Sequence, residues 1–158
     1  MGGAATAPRA KGSPGEDAIR MLTNDHRTVD GLLARARSDA SVIEEIRNEL
    51  EVHARLEEEI FYPAVRQALK DRQMVDEALH EHNEVREAVD ELAAMDQDDE
   101  DYVAKLDDLK DKVQHHVKEE EGEMFPQARE VLTQEQLTQL GTQMRSRKGQ
   151  LKNELVEA

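Results

Sequence analysis

At 158 residues the chain has the size of one domain that can bury a core. It holds 36 acidic residues against 21 basic ones, a formal net charge of -15, so it lacks the basic face that a phosphate backbone requires, and nucleic acid is not an expected partner. There is no cysteine, which excludes disulfides, thiolate metal sites and cysteine nucleophiles.

No apolar run approaches the roughly 18 residues of a membrane span, and the first residues lack the apolar block of a signal peptide. A soluble, cytoplasmic protein without a membrane partner is expected, with its oligomeric state left open. Residues 1–16, small and rich in Pro and Gly, read as a disordered tail. From Asp17 onward apolar residues recur at helical spacing and strand-like alternation is absent.

The first predicted helix, about 17–37, places Ile19, Leu22, His26, Val29 and Leu33 on one stripe. The second opens at Ser41, with Glu44 completing a capping box, and its stripe is Ile43, Ile46, Leu50, His53, Glu57 and Ile60. Asp71 caps the third, whose stripe is Val75, Ala78, His82, Val85, Val89 and Leu92. The run MDQDDED then interrupts the pattern. A fourth helix from about Asp101 aligns Tyr102, Leu106, Leu109, Val113, His116 and Glu120. Pro63 and Pro126 are expected to kink or end the second and fourth helices. A shorter fifth helix follows from Thr133, where TQEQ offers another capping box, and carries a mixed-charge tail.

These elements predict an all-α, up-down-up-down four-helix bundle over residues 17–132, with an additional C-terminal helix and tail over 133–158. Six stripe positions are polar: His26, His53, Glu57, His82, His116 and Glu120. His26 and His53 lie nearly equal distances along the chain from a turn at Asp39. Glu57 and His82 do so around Lys70, and His82 and His116 around Asp99. At about 1.5 Å of rise per residue, the six therefore fall in one layer of the bundle.

The segment from His26 to Pro63 repeats as His82 to Pro126 with a longer second connection, so that NDHRTV matches HEHNEV and HARLEEEIFYP matches HVKEEEGEMFP. The layer should have approximate two-fold symmetry. His53 with Glu57, and His116 with Glu120, are i, i+4 pairs that point one nitrogen and one carboxylate at the same place. Two unpaired carboxylates in an apolar layer would cost several kcal/mol each, and no Lys or Arg shares their stripes. Two divalent metal ions would meet both needs. His80 and His115 fall off the stripes and read as solvent-facing, whereas Asp30, Tyr62, Tyr102 and Glu123 are open between surface or packing roles and an approach to the site.

A lone His, then HxxxEE with a proline ten residues past its His, then a second such set, resembles the hemerythrin-like, or HHE cation-binding, family over roughly residues 17–145. The resemblance implies a non-haem di-iron centre. In it Glu57 and Glu120 bridge two oxo- or hydroxo-linked irons cycling between Fe2+ and Fe3+, and His26, His53, His82 and His116 complete the coordination. Ferritin-like proteins resemble the chain less, because their paired ExxH motifs are represented here only by Glu77 with His80, off the stripe. The oxygen carriers of the family have a further histidine one turn before the third-helix ligand, where this chain has Ala78. The remaining six-residue set is more similar to bacterial members that handle nitric oxide, peroxide or iron. The expected function is binding of, and reaction with, a small oxidant such as hydrogen peroxide, oxygen or nitric oxide, possible activities being catalase-like or nitric-oxide-handling. The alternative is non-enzymatic iron storage or sensing, or oxygen binding.

Overall fold

The computed structural model describes residues 15–157, and among these there is no strand. The expectation of a disordered tail lies, for residues 1–14, outside the described residues. Helix α1 spans Ala18–Ala36 and is capped by Asp17, whose carboxylate accepts from the Arg20 amide at 2.8 Å. The second rod is α2 (Ile43–Leu56), a π-helical segment π1 (Glu57–Phe61) and α3 (Tyr62–Ala68) in continuous succession. Helix α4 (Arg72–Ala93) returns antiparallel, capped by Asp71 as the sequence predicts. The fourth rod repeats the second as α5 (Tyr102–Glu119), π2 (Glu120–Met124) and α6 (Phe125–Val131).

Two local expectations are corrected. Ser41 does not cap the second rod, because Asp39 accepts from the Ser41 amide and hydroxyl and starts a 3-10 turn, Ala40–Val42, ahead of α2. Nor do Pro63 and Pro126 end their rods. A proline ring collides with the carbonyl four residues back in an α-helix, and in both rods the turn before the proline is widened to π geometry, after which the helix resumes.

Helix α7 (Gln134–Glu157) is longer than expected, at 24 residues. Its start carries the predicted capping box, since Thr133 Oγ1 accepts from the Gln136 amide at 3.0 Å while Gln136 Oε1 accepts from the Thr133 amide at 2.8 Å. It packs on α1 and α2, burying Leu137, Met144 and Leu151. Gly141 permits this docking, because a Cβ there would collide with the Glu16 carbonyl oxygen, and Arg145 donates to that same carbonyl at 2.9 Å.

The core consists of two apolar clusters stacked along the bundle. One gathers Leu22, Leu56, Phe61, Val65, Met124, Phe125 and the buried face of α7. The other gathers Leu33, Ile46, Leu92, Leu106 and Leu109 towards the α1–α2 and α4–α5 connections. Each fully buried aliphatic side chain contributes roughly 1.5–3 kcal/mol. Between the clusters, along every rod, comes a polar layer.

Candidate metal centre

His26, His53, Glu57, His82, His116 and Glu120 are all buried and meet in that layer. They form two groups, His26, His53, Glu57, Glu120 and Glu57, His82, His116, Glu120, in each of which one potential ligand atom per residue lies within 4.8 Å of the others. The two groups share both glutamates. π1 and π2 begin at Glu57 and Glu120, so each glutamate leaves its rod where the backbone widens. This is a frequent position for π-bulges in functional sites.

Each of the four imidazoles has its Nδ1 turned away from the layer and donating to a carboxylate. His26 donates to Glu121 at 2.7 Å, His53 to Asp25 at 3.1 Å, His82 to Glu58 at 2.8 Å and His116 to Glu81 at 2.7 Å. That hydrogen bond fixes the tautomer and aims the Nε2 lone pair inward, as in carboxylate–histidine–metal triads. The pattern obeys the two-fold repeat. The acid just before the first His of each copy holds the second His of that copy, and the second Glu of each HxxxEE holds the first His of the other copy.

Sequence reasoning missed these four carboxylates. Their signal was present, as an acid at matching positions in NDH and HEH and as the doubled Glu in both HxxxEE segments.

Tyr62 belongs to the site as well. Its hydroxyl donates to Glu57 Oε1 at 3.0 Å and contacts Glu120 Oε2, and its ring stacks on His82. Tyr102 does not, since its hydroxyl donates to the Ala36 carbonyl at 2.6 Å near the far end of the bundle. Asp30, His80, His115 and Glu123 are exposed.

The electrostatics show a layer that attracts positive charge. Burial opposes protonation of His53, yet the Glu57 charge and the bond to Asp25 raise its pKa to about 10. His116 is likewise raised against its burial, chiefly by Glu120, and His82 by its bonds to Glu57 and Glu58. Burial would raise Glu57, but His53 and the surrounding hydrogen bonds hold it well below the usual carboxylate range. Burial and the two glutamate charges push the Tyr62 hydroxyl well above its usual value, so it stays a donor.

His53 Nε2 and Glu57 Oε2 are buried 3.4 Å apart, and neither has a hydrogen-bond partner. At that distance they attract each other as charges but complete no hydrogen bond, an unfinished arrangement for buried polar atoms. As donor atoms to a cation they are satisfied, and an imidazole and carboxylate donor set suits iron, zinc or manganese.

A sequence profile described as the hemerythrin HHE cation binding domain matches residues 17–128. The chain belongs to this family. Among solved structures, this hemerythrin-type bundle is similar to a hemerythrin HHE cation-binding-domain protein from Mycobacterium kansasii, with 26% identity and a TM-score of 0.80, covering 90% of this chain and 91% of that one. Among curated proteins, it is 29% identical over 146 residues to a DNA nickase of Nostoc sp. (strain PCC 7120 / SAG 25.82 / UTEX 2576). The match takes in 89% of this chain, which spans about 40% of the length of that relative. Family membership and the buried His/Glu cluster together make this a metal-binding protein.

Proposed function

We propose that the chain is a non-haem di-iron protein that reacts with a small uncharged oxidant: hydrogen peroxide, dioxygen or nitric oxide. The observation that carries this reading is the pair of four-residue groups sharing Glu57 and Glu120. In such an arrangement His26 and His53 would hold one ion and His82 and His116 the other, with Glu57 and Glu120 available to both. When bound, the irons supply electrons and open coordination positions.

The rest is the work of the chain. On the side of the first apolar cluster, Tyr62 closes the layer and holds one proton against Glu57 Oε1 and Glu120 Oε2. On the other side a cavity of about 320 Å³ touches all four imidazoles and is walled by Val29, Val85, Val89 and Val113. It reaches the surface between α2 and α4 at Arg47, Glu51, Arg86 and Asp90, which are paired across the gap as Arg47–Asp90 and Arg86–Glu51. A water occupies only about 30 Å³ of liquid, so the space admits any of the three oxidants. The nicking activity named for the Nostoc protein is not extended to this chain, whose net charge of -15 opposes contact with a phosphate backbone.

The test is metal content and absorption of protein from iron-supplemented cells, before and after hydrogen peroxide. Two irons per chain, near-ultraviolet ferric absorption and consumption of peroxide are expected. Two irons without turnover would move the reading to storage or sensing. One metal or none would overturn it.

A further inference from the structure

The two-fold symmetry of the centre fails at Tyr62, whose repeat counterpart is Phe125, and again behind the histidines. Asp25 and Glu81 are symmetry mates, each holding the Nδ1 of an HxxxEE histidine. The second oxygen of Glu81 faces His115, an exposed imidazole 3.3 Å away that Glu119 shares. The second oxygen of Asp25 instead accepts from Lys148 Nζ at 2.8 Å, a pair whose side chains are only 3% and 10% exposed. Lys148 comes from α7, which lies beyond the matched residues 17–128.

A lysine is almost never buried this deeply without a partner, and its flexible stem loses rotamer freedom when it is. Here the ammonium sits at the end of a chain of contacts from Lys148 through Asp25 to His53, and His53 Nε2 is the imidazole atom left without a hydrogen-bond partner. Asp25 has one oxygen for each neighbour. With Oδ1 held by Lys148, Oδ2 stays directed at His53 Nδ1, and the imidazole keeps its inward tautomer. Without the ammonium, the buried carboxylate would be free to rotate away from His53. His116 has no equivalent anchor, since Glu81 is held on its outer side only by a side chain in water.

We propose that Lys148 is a positioning residue for the His26/His53 half of the centre and makes the two metal positions unequal. It acts through Asp25 and does not touch the metal. The inference rests on the reading that two ions bind. Its consequence is that a helix outside the four-helix bundle sets the affinity of one of them.

The experiment is Co2+ titration of the metal-free full-length chain, followed by its visible spectrum, for wild type, K148M, K148Q and, as a charge control on the same helix, K152M. Wild type takes two ions in distinguishable steps. K148M keeps one step unchanged and weakens the other by about 10–100-fold, the usual cost of losing an outer-shell partner. K148Q, which retains a donor for Asp25, falls between, and it carries the test if K148M does not fold. K152M matches wild type. Two unchanged steps in K148M and K148Q overturn the proposal. So does equal weakening of both steps together with lower thermal stability of the metal-free protein, which would mark Lys148 as a packing residue. A wild-type chain that takes up no metal sinks the di-iron reading instead.

Discussion

Glu58 and Glu121 each reach across the repeat to a histidine of the opposite half, and both stay partly open to solvent, with side chains 24% and 30% exposed. Burial would raise Glu58, but His82 and Arg86 hold its carboxyl at about 2, so it remains an acceptor throughout the ordinary pH range. Glu121→Gln, which removes the charge from the carboxylate on His26 Nδ1, should weaken metal binding about 10–100-fold, measured by competition with a chromophoric chelator. Glu123→Gln, two residues on and exposed, should leave it unchanged. Equal behaviour of the two variants would deny Glu121 its role. The inward six were legible because they interrupt apolar stripes, where a polar residue demands a reason. The outward four were not, because an acid on the flank of an acidic helix has the same pattern whether it meets water or an imidazole. Only their recurrence at matching positions of the repeat separates them from the solvated majority.

Helix α7 shows why element boundaries were harder to read than element types. Its buried apolar positions Leu137, Met144 and Leu151 are sparse, and mostly polar or charged residues fill the turns between, so its sequence resembles a tail. What fixes it is contact with α1 and α2, which no local pattern reports. The π segments were equally hidden, since Pro63 and Pro126 signal a disturbed helix but not that the disturbance is absorbed one turn earlier. Docking of α7 gives a prediction with opposite signs at two glycines. An exposed helical Gly→Ala change stabilises by roughly 0.5–1 kcal/mol, and Gly149, with nothing within 4 Å of its would-be Cβ, should follow that rule. Gly141→Ala should instead lower the melting temperature, because its Cβ meets the Glu16 backbone. If both variants gain stability, α7 does not sit against α1 as described.

At the scale of the molecule, a charged layer divides the core into two apolar clusters. A ligand bound only by the folded state stabilises it by about 2.7 kcal/mol at 100 times its dissociation constant and about 4.1 at 1,000 times. For a domain of this size 1 kcal/mol moves the melting temperature by roughly 2–4 °C. Chelation should thus lower it by about 5–16 °C in calorimetry, with helix content by circular dichroism kept at room temperature. No shift would mean that the layer is satisfied without a cation. The bundle itself was readable from the three-and-four spacing, since four long stripes with short connections leave few alternatives. The cavity beside the imidazoles was not, because voids depend on how side chains from different rods meet.

The interlocking of the two repeats bears on how such a chain could have arisen. Each copy carries two of the four histidines and one of the two shared glutamates, and each copy's first histidine is held by the other copy's second glutamate. A single copy is therefore half a vessel. If the chain descends from a duplicated hairpin, that ancestor could have completed the polar layer only by pairing with its twin, and fusion turned an encounter between two molecules into a fold within one.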